Sequence, residues 1–122
     1  MLFSIDNLEE PINQVPHATV YRIWRDRISK AQYEAIAHTL NSMVDGDEVH
    51  TSSWIPGSNW IGTVFQPVWE TACLKNAEAA AKCFGLILWE IMMARPDDWS
   101  FGRFEKNNIP IEGLTYYRIH RG

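Results

Sequence analysis

Two cysteines in 122 residues, Cys73 and Cys83, are too few for a disulfide framework or a four-ligand metal site. On one continuous helix they would stand about 15 Å apart along the axis and about 280° apart around it, out of bridging range. Both read as reduced, small hydrophobic residues of a cytoplasmic protein. Basic charge is short as well: 11 Lys and Arg face 15 Asp and Glu, a net charge of −4. That balance argues against a general binder of nucleic acid or of anionic membranes, whose affinity comes from excess positive charge. Met1-Leu2-Phe3-Ser4-Ile5-Asp6 has no basic region, and Asp6, Glu9 and Glu10 interrupt any apolar run, so no targeting leader is expected. The longest apolar stretch, around Phe84 to Ala94, is broken by Glu90 and falls short of the roughly 20 residues of a membrane span. Phosphate-loop, dinucleotide-loop, His-Glu-x-x-His and Gly-x-Ser-x-Gly signatures are missing, and neither a cofactor nor a metal is expected.

What the chain does hold is aromatic: six Trp, five Phe and four Tyr. Ala18-Thr19-Val20-Tyr21-Arg22-Ile23-Trp24 is rich in β-branched and aromatic residues and reads as a strand. Ser29 with Gln32 forms a capping box, and Tyr33, Ile36, Ala37, Leu40 and Met43 recur at helical spacing over 30–44. Asp45-Gly46-Asp47 ends that helix, and 48–54 reads as a second strand. Pro67 suits the first turn of a short helix reaching Leu74. Asn76 then caps a longer helix that stops at Arg95, before Pro96. Strands at 99–105 and 114–120 complete the chain. The expectation is one α+β domain over 1–122, with 1–17 an N-terminal arm. Its mainly antiparallel sheet has about four strands, with two or three helices on one face, in the order β-α-β-α-β-β.

Candidate chemistry is sparse. Glu48, His50 and Ser52 share one face of the second strand, yet residues two apart stand parallel, about 6.5–7 Å from one another. A nucleophilic relay needs hydrogen-bond reach, so His50 acts as a base only with a carboxylate from elsewhere, such as Glu90. Asp45, Asp47 and Glu48 lack the further oxygen ligands of a calcium loop. Pro96-Asp97 and Glu105-Lys106 carry the residue types of a metal-dependent nuclease, but adjacent Glu and Lys on a strand point to opposite faces. Arg22, Arg25, Arg27 and Lys30 form a basic corner that Arg118 and Arg121 would join if the last strand lay beside the first. Glu90 interrupts an otherwise apolar helix, so it must reach an Arg or Tyr, or face water; Arg22 and Arg103 are the expected partners. His38 forms an exposed pair with Glu34, and His17 and His120 carry no assigned role.

The densest signal is a loop of Trp54, Pro56, Gly57, Ser58, Asn59, Trp60, Gly62 and Thr63. Surface loops usually shed bulky apolar groups, so its indoles either pin it to the core or contact a partner. The reading is a non-catalytic binding or accessory protein, a homodimer, holding a small molecule or a protein partner. Trp54, Ser58, Asn59 and Trp60 would make that contact, with Trp99 and Tyr116 as further walls. The alternative is a small hydrolase-type acid–base enzyme centred on His50 with Glu48 or Glu90. A third reading, an acidic surface that grips a basic partner, would show strong salt dependence.

Overall fold

The computed structural model describes residues 1–44, 48–50, 60–102, 105–106, 109–110 and 115–119. Helices carry most of it: α1 (Ala18–Asp26), α2 (Lys30–Val44), a π-helical turn (Val68–Ala72) and α3 (Ala77–Ala94). The strands are short: β1 (Glu48–His50), β2 (Trp99–Gly102), β3 (Glu105–Lys106), β4 (Ile109–Pro110) and β5 (Thr115–Arg118). β5 lies between β1 and β2, antiparallel to both, while β3 and β4 pair separately. This overturns the expected four-stranded sheet with helices on one face, and the β-α-β-α-β-β order with it.

The difference begins at 18–24, which is helical rather than a strand. Val20, Ile23 and Thr19 favour strands locally, but Tyr21, Trp24, Arg25 and Ile28 recur at helical spacing and turn inward. Burial of that stripe outweighs β propensity, which is worth no more than about 1 kcal/mol per residue. Val20 and Ile23 are left on the exposed side.

The caps follow the sequence. Ser29 Oγ accepts from Gln32 N at 3.1 Å, and Gln32 Oε1 accepts from Ser29 N at 3.0 Å. α2 then buries Ile36, Leu40 and Val44; Val44 takes the inward place expected of Met43, which is exposed. Asn76 Oδ1 accepts from Ala79 N at 3.0 Å, and α3 ends where Arg95 turns extended ahead of Pro96. Eight α3 side chains from Ala80 to Met92 are buried, so this helix is covered on most sides by α1, α2 and the π turn. Phe84 anchors an aromatic group, edge-on to Phe65 at 5.0 Å and to Trp60 at 6.3 Å.

The segment from Pro67 to Asn76 does not run straight into α3. Leu74 (φ 50°) and Lys75 (φ 66°) sit in the left-handed region and reverse the chain. Cys73 and Cys83 are therefore on separate elements, and the helical-wheel argument against their meeting does not apply.

The N-terminal residues extend the sheet and close one edge of it. Trp99 N donates to Met1 O at 2.9 Å and Phe3 N to Trp99 O at 2.8 Å, while Ser100 Oγ donates to Phe3 O. Leu2 and Phe3 are buried. Arg95 fastens the far end of α3: it grips Asp97 through two hydrogen bonds of 2.9 and 3.0 Å and reaches Asn41 Oδ1 of α2 at 2.9 Å. Those bonds hold the Asp97 carboxyl below the usual carboxylate range.

Candidate functional site

Glu90 is the one acidic residue within α3 beyond its first turn, and it lies near the middle of the apolar run. Its neighbours explain how it is tolerated. The Tyr21 hydroxyl donates to Glu90 Oε2, and Arg25 Nε approaches the same oxygen at 4.0 Å. The Arg25 guanidinium lies 3.2 Å above the centre of the Tyr33 ring. The Glu90 charge also acts on the Tyr33 phenol. Two phenols, a guanidinium and a carboxylate thus meet where α1, α2 and α3 converge.

The electrostatics follow from that meeting. Burial is the main reason the Tyr33 phenol rises to about 12, with the Glu90 charge adding to it and Arg25 opposing it. Burial and the hydrogen bond to Glu90 push Tyr21 up further. Both hydroxyls remain donors throughout the physiological range.

Tyr21, Arg25 and Glu90 of this cluster form one wall of an open cleft of about 690 Å³. α1 supplies Ala18, Tyr21, Arg22, Arg25 and Asp26, α3 supplies Glu90 and Met93, and Asn13–Val15 complete it. Trp89 Nε1 donates to Gln14 O at 3.1 Å and so holds Asn13–Val15 against α3. Arg22 is exposed and has no ion-pair partner among the described residues. The Arg25 Nε is buried and has no hydrogen bond among the described residues. Among the described residues the cleft therefore carries one guanidinium without an ion pair, Arg22, and one partly satisfied, Arg25, beside the apolar Val15, Ala18 and Met93.

Of the residues singled out from sequence, Arg22, Arg25 and Glu90 line this cleft, and the described members of the expected aromatic site do not. Trp60, Trp99 and Tyr116 are core side chains, with 2%, 0% and 1% exposure. Trp54, Ser58 and Asn59 lie outside the described residues, as do Asp45, Asp47 and Ser52. β1 sets Glu48 opposite Tyr117 and His50 opposite Thr115 in register; their side chains also lie outside the described residues. Arg118 does not join the basic corner, because it pairs with Asp97 at 3.4 Å. Arg103 and Arg121 are not among the described residues. Glu90 does find Arg and Tyr partners, but these are Arg25 and Tyr21 rather than Arg22. Tyr21 and Arg25 were missed because their segment reads locally as a strand; the spacing from Tyr21 to Arg25 and Ile28 is the signal that points to them.

Among the described residues no group of three or more His, Cys, Asp or Glu side chains comes together as a metal site, and no helix is long and apolar enough to cross a membrane. Compared with protein-family models, curated proteins and solved structures, the chain matches none.

Proposed function

We infer that the chain is a non-catalytic binding protein whose ligand enters the cleft between the N-terminal arm, α1 and α3. The observation that carries this reading is the Tyr21–Glu90–Arg25 cluster, backed by Tyr33, in the wall of an open cleft, with Arg22 at its edge holding no ion pair among the described residues. A charge placed on an apolar helix costs stability unless it is fully satisfied. Groups with shifted proton affinity beside a cavity are common at binding sites. The chemistry favours a ligand with a carboxylate for Arg22 and an apolar body for Val15, Ala18 and Met93.

A thermal-shift panel of small apolar carboxylates tests this. At least one member is expected to raise the Tm of the wild-type protein, with its apparent affinity falling tenfold or more in Arg22→Ala. A panel without effect, or a shift that survives Arg22→Ala unchanged, contradicts the reading.

A homodimer in the cytoplasm belongs to the same reading. It is supported by Val20 and Ile23 exposed together on the outer side of α1, and by two cysteines left as free thiols. Light scattering is expected to return twice the chain mass; a single-chain mass at all concentrations removes the dimer.

A further inference from the structure

Charges of both signs line the cleft, and one pair of them is left apart. Ala18, Arg22 and Asp26 follow one another at four-residue spacing, so they line up along one side of α1, and all three face the cleft. Tyr21 and Arg25 form the neighbouring row, which turns to α3 and meets Oε2 of Glu90. Arg22 and Asp26 are exposed, and among the described residues they form no ion pair, either with each other or with Glu90. Arg22 is one residue from Tyr21, about 1.5 Å of helix rise, so it leaves α1 at the level where Glu90 is held.

Glu90 is not closed off by its partners. Both of them approach Oε2, and 34% of the side chain stays exposed. An ionised carboxylate accepts at about four lone-pair sites, so capacity for a further donor is left. The lining thus holds two guanidinium groups and two carboxylates beside the apolar Val15, Ala18 and Met93. A simple carboxylate seated on Arg22 has Glu90 across the cleft from it, and that like-charge contact weakens its hold. A ligand that also carries an ammonium turns the same contact into an attraction.

We propose that the cleft binds a free α-amino acid with an apolar side chain. Arg22 takes the carboxylate, Glu90 takes the ammonium, and Val15, Ala18 and Met93 receive the side chain. Met93 is flexible enough to follow side chains of different shape. This rests on the binding reading above and adds to it the ammonium and the part Glu90 plays in holding it.

The test is isothermal titration calorimetry of the full chain with leucine, methionine, valine and phenylalanine. Each is compared with the acid lacking its amino group and with its amide, at slightly acid pH where the amides keep their ammonium. At least one amino acid is expected to bind about tenfold or more tightly than both of its comparison compounds. In Glu90→Gln the preference over the acid should fall to about one, and in Arg22→Ala the preference over the amide should do the same. The wild-type series decides the matter even if Glu90→Gln fails to fold. Acids that bind as tightly as their amino acids, and lose affinity in Arg22→Ala, overturn the amino acid while leaving the carboxylate reading in place. A preference for the ammonium that survives in folded Glu90→Gln overturns the assignment of Glu90. Binding by neither series overturns both readings.

Discussion

Glu90 carries the largest consequences of any single side chain. Its carboxylate faces Tyr21, Tyr33 and Arg25 together, so Glu90→Gln removes the charge that helps keep the phenols protonated. Tyr33 is expected to titrate near 12 in the wild-type protein and below that in Glu90→Gln, though still above an ordinary tyrosine because burial is the larger cause. Ring-carbon NMR across alkaline pH reads this, and an unchanged Tyr33 contradicts the contact. The raised value also sets a stability window. The folded state holds a proton that the unfolded phenol has released, so this contribution is complete below about pH 10 and is lost as pH rises toward 12. Glu90 itself was legible in the sequence, because a carboxylate in an apolar run demands a partner. Which partner was not legible, since Tyr21 and Arg25 lie far away in the chain on a segment whose residue types favour a strand.

Among the elements, ends were easier to read than identities. Ser29 with Gln32, Asn76, and Arg95 before Pro96 are local chemistry, and each cap or stop forms as the residues dictate. α1 was hidden because tertiary burial of Tyr21 and Ile28 overrides the strand preference of Val20 and Ile23. The reversal after the π turn was hidden too, for Leu74 and Lys75 are not turn formers, yet both adopt positive φ. Left-handed geometry costs a non-glycine residue about 1–2 kcal/mol, partly offset in glycine by its greater unfolded-state freedom. Lys75→Gly is therefore expected to stabilise the fold by up to about 1 kcal/mol, read as a higher denaturation midpoint with an unchanged slope. A marked loss of stability would mean that Lys75 is held by something other than backbone geometry.

At the scale of the whole molecule, three separated stretches build the cleft: Asn13–Val15, the length of α1, and Glu90 with Met93 on α3. None of these stretches carries a site signature alone, whereas 54–63 concentrates two indoles and two glycines in one short segment. The excess of indole is accounted for in part by packing, with Trp60 against Phe84, Trp89 against Phe101, and Trp99 buried beneath the N-terminal residues. Packing leaves the arginines of α1 as the outward-facing chemistry beside an apolar surface. The most direct test is backbone amide NMR of the full chain titrated with the carboxylate that most raises its Tm. Saturable shifts are expected, confined to Asn13–Val15, Arg22, Arg25, Glu90 and Met93 and abolished by Arg22→Ala. Shifts centred on 51–63, or none at those cleft residues, would contradict binding in the cleft.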